Sequence, residues 1–496
     1  MAAWHSFVRR TAGTVTLTRH SGVDRRIPSQ PLQTMITAEF DRDLIERYGG
    51  RGPRYTSYPT AAQFHAAFGE ADYREQARLL AARGSQDPLS IYIHIPFCHS
   101  LCYYCGCSKV VTRNTARADA YLASLLQEAS LQAELFSRER TVDQLHLGGG
   151  TPTYLSREQM RQLMENLRAH FTLRRDDRRE FSIEIDPRTV SPADIAALAE
   201  CGFNRISMGV QDFATDVQQA VNRVQSPEET RDLIQAARVA GFGSVSLDLI
   251  YGLPLQTVEG FDHTLERVLA MRPDRLAVYN YAHLPQMFRS QRLIREDQLP
   301  TAEVKLRILG LTIEKLTAAG YVYVGMDHFA LATDELVKAQ ERGELQRNFQ
   351  GYSTHASCDL IALGATAIGR IGDSYSQNAK DIRDYEAALA QGRLPIERGL
   401  IMTRDDRIRG AVIQDIMCQG RLDFAQVSER FGIDFGVYFA PEWRPLQRLQ
   451  TDGLLEMNQA GLVVSNRGRL LLRAIAMVFD HYLAAATVKQ TFSKII

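Results

Sequence analysis

Between about residues 90 and 285, six short β-like runs alternate with helical patterns, as repeated βα units do. The runs fall at 90–95, 142–147, 181–185, 204–208, 244–250 and 275–280. In several of them only one face is apolar. Ile91, Ile93 and Ile95 alternate with Tyr92 and His94; Phe181, Ile183 and Ile185 alternate with Ser182, Glu184 and Asp186. Val245, Leu247 and Leu249 alternate with Ser244, Ser246 and Asp248. Parallel strands covered by helices on both faces read as nearly continuous apolar runs. One polar face therefore predicts a barrel whose outside packs on helices and whose interior holds a polar ligand. A closed (β/α)8 barrel fills its interior with branched apolar side chains, so the expectation is an α/β fold with an incomplete, TIM-like (β/α)6 barrel. Helices are expected at 119–137, 157–170, 193–200, 213–221, 227–240 and 258–271. Ser156 with Gln159, and Ser191-Pro192 before Asp194, mark two of their starts. Gly202 and Gly241 suit helix C-termini.

The chemistry-bearing residues gather at the carboxyl ends of these runs, where such folds place their sites. After the first comes HIPFCHSLCYYCGC, with Cys98, Cys102 and Cys105 separated by three and then two residues. Three thiolates can hold a [4Fe–4S] cube and leave one iron open, whereas cubes normally take four. The alternative is zinc, with His94, His99 or Cys107 as fourth ligand. Tyr103 and Tyr104 suit a shield against water, and Cys107 is either a spare thiol or a catalytic one. Cys201, Cys358 and Cys418 are isolated and read as ordinary buried thiols. The run Gly148-Gly149-Gly150 lets backbone approach a ligand, with free N–H groups for a carboxylate, unless it is only a tight turn. Glu184 and Asp248 could bind ribose hydroxyls or an ammonium, or else pair structurally with Arg188, Arg205 or Arg223. Gln211, Arg223, Tyr279 and Tyr281 carry no specific meaning in isolation.

Lys plus Arg equals Asp plus Glu at 58 each, so no global field favours nucleic acid or an anionic membrane. An anionic substrate must then be held by a local basic pocket. Seven cysteines, an odd number with four of them clustered at one site, point to a reducing cytosol rather than a disulfide framework. The longest apolar run, 360–369, is too short to span a bilayer. Residues 1–34 are rich in Arg, Thr and Ser; they read as a disordered extension, or as upstream sequence with Met35 as the start, a transit peptide being the alternative. The expected organisation is a tail over 1–40, a substrate-side element over 41–89, the barrel over 90–375 and a mostly helical, winged-helix-like domain over 376–496. GPRYTSYPTA and RNFQGYST suit loops closing over a flat, polar-edged ligand, though surface turns look similar.

Together, GPRYTSYPTA, HIPFCHSLCYYCGC, HLGGGTPT, SIEIDPR, SMGVQDF, VNR, DLIYGLP, YNYAHLP, GMDHFA and NFQGY resemble the oxygen-independent coproporphyrinogen III oxidase family of radical S-adenosylmethionine (SAM) enzymes. The resemblance runs from about Asp41 to the C-terminus. It implies a radical SAM barrel, a [4Fe–4S] cluster on Cys98, Cys102 and Cys105, and two molecules of SAM. Tyr92, Gly148, Glu184 and Arg223 would contact the first molecule. Tyr104, Gly149, Gly150, Gln211, Asp248, Ala282 and Ile368 would contact the second. Tyr104 departs from a Phe often found there. Cys107, Phe349 and Gln350 are candidates for substrate-side roles. The implied reaction is oxidative decarboxylation of two propionates of coproporphyrinogen III, started by a 5′-deoxyadenosyl radical and giving protoporphyrinogen IX. The implied partner is an electron donor such as flavodoxin or ferredoxin, and the implied enzyme is a cytoplasmic monomer that binds neither nucleic acid nor membrane. The alternatives are a haem chaperone and a haem-degrading methyltransferase of the same superfamily.

Overall fold

The computed structural model describes residues 38–355, 357–484 and 492. The Arg- and Thr-rich N-terminal segment lies outside them up to residue 37. Six strands form the predicted repeats: β1 (Leu89–Ile95), β2 (Thr141–Gly149), β3 (Glu180–Ile185), β4 (Arg205–Gln211), β5 (Ser244–Tyr251) and β6 (Arg275–Asn280). They pair in parallel in chain order. Six more extend the sheet: β7 (Tyr321–Gly325), β8 (His328–Leu331), β9 (Asp359–Leu363), β10 (Ile368–Ile371), β11 (Ser374–Asn378) and β12 (Ile396–Ile401). The sheet order is β7-β8-β6-β5-β4-β3-β2-β1-β9-β10-β11-β12. β9 is parallel to β1, and the flanking pairs are antiparallel. The two ends do not pair among the described residues, which leaves the barrel incomplete.

Helices α1 (Ala116–Ala133), α2 (Arg157–His170), α3 (Pro192–Cys201), α4 (Thr215–Ala220), α5 (Pro227–Val239) and α6 (Val258–Met271) return the chain between strands. Ser156, Ser191 and Ser226 each close a capping box at a helix start, and Gly202 takes the left-handed conformation after α3. The apolar strand faces, with Ile91, Ile183, Val245 and Leu247 fully buried, form one core with these helices. The opposite faces line the interior. Register there brings Tyr92 beside His146, Glu184 beside Ser207, and Gly209 beside Asp248.

Two expectations need correction. The sheet does not end at residue 375, because β11 crosses that boundary and β12 follows. All five residues of β11 are buried although most are polar, so no alternation marks the strand. Its Ser374 and Asn378 are satisfied instead by Ile371, Gly364 and a distant Glu128. The tyrosines of GPRYTSYPTA also do not close over a ligand. Tyr55 and Tyr58 are buried in a second core with the C-terminal domain, bonded to Asp480 (2.9 Å) and His481 (3.3 Å). That domain contains the helix Arg404–Gln419 and a three-stranded antiparallel sheet of Arg421–Asp423, Gly461–Val464 and Leu455–Met457.

Candidate active site

The cysteine loop leaves the end of β1 and crosses the top of the barrel. Each of its three thiol sulfurs accepts a hydrogen bond. Thr151 Oγ1 donates to Cys98 (3.5 Å), and the Cys107 N–H donates to Cys105 (3.4 Å). Arg188 Nη2 and Arg223 Nη1 both donate to Cys102, each at 3.5 Å. Donors aimed at all three sulfurs are what metal-bound thiolates commonly receive, so the trio suits metal-bound sulfur. Of the three fourth ligands open to zinc, one is committed elsewhere, one is stacked, and Cys107 stays exposed. Both ring nitrogens of His94 are engaged, by Tyr92 Oη at 3.1 Å and the Ser108 carbonyl at 3.1 Å, and His99 stacks on Tyr154. Tyr103 and Tyr104 pack on an apolar cluster containing Val217, Leu253 and Tyr281, as a shield should. Gln291 and Ser290 fix the loop backbone at Tyr104 and Cys105.

The glycine run gives clearance rather than free donors. A Cβ on Gly148 would lie 3.0 Å from the Glu184 carboxylate, and one on Gly149 would lie 2.7 Å from the His94 ring. The Gly149 N–H donates to Glu184 (3.2 Å), and the Gly150 N–H donates to the Ile95 carbonyl (2.8 Å). These two N–H groups are therefore not available to a carboxylate ligand, contrary to expectation.

Glu184 and Asp248 both face the interior, where neither has an arginine partner; the structural ion pair goes to Asp186 instead. Arg223 bonds Asp186 twice at 3.2 Å and also the Gly209 carbonyl. Glu184 takes His146 Nε2 at 3.2 Å yet keeps 45% of its side-chain surface accessible, so it lines an internal space. Burial pushes its carboxyl up, but the His146 hydrogen bond and charge outweigh that and hold it below its usual range. Asp248 has only two long contacts with Ser207, at 3.4 Å. Burial first, and the charge of Glu184 second, push it up to about 7. Gln211 bends the end of β4 with a φ of 69°, and a side chain on Gly209 would collide with Gln211 and Arg223.

Cys107 is exposed; its hydrogen bond with Cys105 first, with the charge of Glu184 adding to it, pushes its thiol up. Tyr92 stacks on His146 with ring centroids 5.8 Å apart. Ala282 is exposed just past β6. Ile368 and Phe349 meet in a separate small apolar cluster with Phe64 and Tyr375. Gln350 lies on the same hairpin as Phe349, and both polar atoms of its side chain are buried without a partner. His146 and Thr151 did not stand out in sequence. The polar alternation Gln144, His146, Gly148 along β2 was the signal for the first.

A family model for the radical SAM superfamily matches residues 92–268, and one for the HemN C-terminal domain matches residues 402–471. Barrel, thiol trio and match together define a radical SAM protein, a class that carries a [4Fe–4S] cluster and SAM. The oxygen-independent coproporphyrinogen III oxidase of Pseudomonas aeruginosa is 52% identical over 460 residues, covering 93% of this chain and 99% of that protein. The protein of the same name from Escherichia coli K12 is 48% identical over 458 residues, covering 92% and 99%. The solved structure of E. coli coproporphyrinogen III oxidase (HemN), described as a radical SAM enzyme, superposes with a TM-score of 0.86 at 47% identity, over 90% of this chain and all of that one. The chain belongs to the oxygen-independent coproporphyrinogen III oxidase family. No helix of the described residues is long and apolar enough to cross a membrane.

Proposed function

We propose that this protein converts coproporphyrinogen III to protoporphyrinogen IX in haem biosynthesis, by oxidative decarboxylation of two propionates to vinyl groups. The observation that carries this reading is three hydrogen-bonded thiols over a polar barrel interior, in a chain similar along nine-tenths of its length to enzymes of that name. A propionate β-carbon has no acidic hydrogen, so no side-chain base can start the reaction. Bound cluster and SAM would supply a carbon radical able to remove that hydrogen.

The protein's part is to bind, orient and exclude water. Cys98, Cys102 and Cys105 hold the cluster, with Arg188 and Arg223 donating hydrogen bonds to Cys102. Two SAM molecules bind. Tyr92, Gly148, Glu184 and Arg223 serve the first; the open acceptor surface of Glu184 and the clearance at Gly148 support this. Tyr104, Gly149, Gly150, Gln211, Asp248, Ala282 and Ile368 serve the second, with Asp248 as the carboxylate short of partners. Cys107, Phe349 and Gln350 act on the substrate side, and the two orphaned atoms of Gln350 are what support its role. The electron donor is a small redox protein such as flavodoxin or ferredoxin. The enzyme works as a cytoplasmic monomer.

Anaerobically reconstituted protein should release two CO2 per coproporphyrinogen III, and Cys102→Ala should lose the brown chromophore and all turnover. Gln350→Ala should keep the chromophore and lose most activity. Intact chromophore and SAM cleavage without CO2 release would defeat the assignment and favour a haem-handling relative. Equilibrium dialysis tests the stoichiometry of two SAM per chain.

A further inference from the structure

Arg347 is a buried cation without a counter-charge. It is 7% exposed and forms no ion pair among the described residues. Its Nε donates to the Arg54 carbonyl at a long 3.4 Å, its guanidinium lies 5.0 Å from the centre of the Tyr352 ring, and Nη1 is buried with no partner. A guanidinium left so is costly to the fold unless an anion arrives. Its arginine neighbours are each paired to an acid of their own, which leaves none for Arg347 among the described residues. Arg54 sits over Tyr279 (5.9 Å) with 42% of its side chain accessible and a single acid, Asp327, at 3.0 Å. Arg275 pairs with Asp334 but keeps a buried, unpartnered Nη2. His328, ringed by Tyr279 and Tyr352, does not compensate. Burial and then the charge of Arg347, helped by Arg54 and Arg275, hold it neutral, at about 3.

This cationic region is continuous with the site. Tyr279 lies two residues beyond Ala277, the register partner of Asp248 on β5, and carries Arg54 over its ring. Arg54 comes from GPRYTSYPTA and Arg347 from RNFQGYST, the two segments whose sequence suits loops over a flat, polar-edged ligand. In a chain whose charges balance overall, a buried arginine with no ion pair, beside a half-exposed one held by a single acid, calls for an anionic ligand.

We propose that Arg347 and Arg54 form a carboxylate clamp for a propionate that the substrate keeps. This rests on the coproporphyrinogen reading, under which the ligand carries four propionates and loses two. The assignment to a retained one follows from charge. Decarboxylation removes the carboxylate's negative charge, so a guanidinium paired to the reacting group would stabilise the ground state and oppose the loss of CO2. A guanidinium paired to a spectator carboxylate costs nothing at the reacting carbon and fixes the macrocycle by a two-pronged contact.

Coproporphyrin III, a fluorescent tetra-acid, is the probe, titrated into the anaerobically reconstituted full chain. Arg347→Gln and Arg54→Ala should each weaken binding about tenfold or more, with chromophore and SAM cleavage unchanged. Arg347→Lys should recover only part, because it keeps charge without the fork. Esterifying the two propionates that survive in the product should abolish the dependence on arginine; esterifying the two that react should leave it. Unchanged affinity in both variants, or the reverse ester pattern, overturns the clamp. Where Arg347→Gln fails to fold, the exposed Arg54→Ala decides alone. Tetra-acid binding through the arginines without CO2 release would remove the reaction and keep the clamp; CO2 release indifferent to both substitutions would do the opposite.

Discussion

Glu128, on the outside of the barrel, and Glu184, on the inside, are both acids enclosed by protein, and they are enclosed differently. Glu128 is fully buried on α1 and is met by three donors: the Gly364 N–H (2.7 Å), Asn378 Nδ2 (2.7 Å) and Tyr385 Oη (2.6 Å). It ties helix α1 to the β9–β10 turn, to β11 and to the helix Ile382–Ala390. Glu184 has two contacts and keeps surface free. A carboxylate with a complete set of donors is architecture, and one with acceptor capacity left over is waiting for a ligand.

That contrast can be broken by a pair of substitutions. Glu128→Ala should strand three buried polar groups and destabilise the fold by about 3 kcal/mol or more. Glu184→Gln should leave thermal unfolding almost unchanged but weaken SAM binding about tenfold or more. Calorimetry alongside SAM titration checks both. The comparison fails if the two variants show the same pattern.

A smaller effect separates them by pH. Burial, against its three donors, pushes Glu128 up to about 7 from its ordinary 4.5. Between those values the folded protein keeps a proton that the unfolded chain has released. Stability should therefore fall as pH rises through that window and level off above it, by a few kcal/mol at most. Glu184, held low, contributes the opposite slope only at more acidic pH. Urea titrations at about pH 5 and about pH 8 should show a difference that Glu128→Gln reduces. A variant with the wild-type slope would remove Glu128 as its source.

The same contrast sets what could be read from sequence. All six repeat strands are where the alternation places them, to within a few residues, because one buried face imposes a period of two. The motif-bearing loops also lie at the strand ends as expected. Glu128 was half legible: it interrupts the apolar stripe Tyr121, Leu122, Leu125, Ala129 on α1, where only a buried partner would allow it. Its partners lie some 236 to 257 residues away, and no local pattern names them. β11 was missed for the same reason, since Asn378 is buried by virtue of Glu128. The binding of the Gly149 and Gly150 N–H groups depends on Glu184 and Ile95, which only the register of three strands brings near. Residues satisfied by distant partners escape a sequence reading, and so do those, like Arg347, whose charge no described residue pairs.

The finest test lies within the interior pair. Asp248 sits at about 7 partly because Glu184 is ionised nearby. A carboxylate accepts ribose hydroxyls best when charged, so SAM should bind more tightly as pH rises through about 7. Glu184→Gln removes the neighbouring charge, and with it the second cause of the shift. The remaining affinity should then show its inflection at lower pH, although the affinity itself is weaker. Equilibrium SAM binding across pH reads both quantities at once. An inflection that stays in place would mean that burial alone governs Asp248, and that the two carboxylates act as separate sites rather than as one coupled pair.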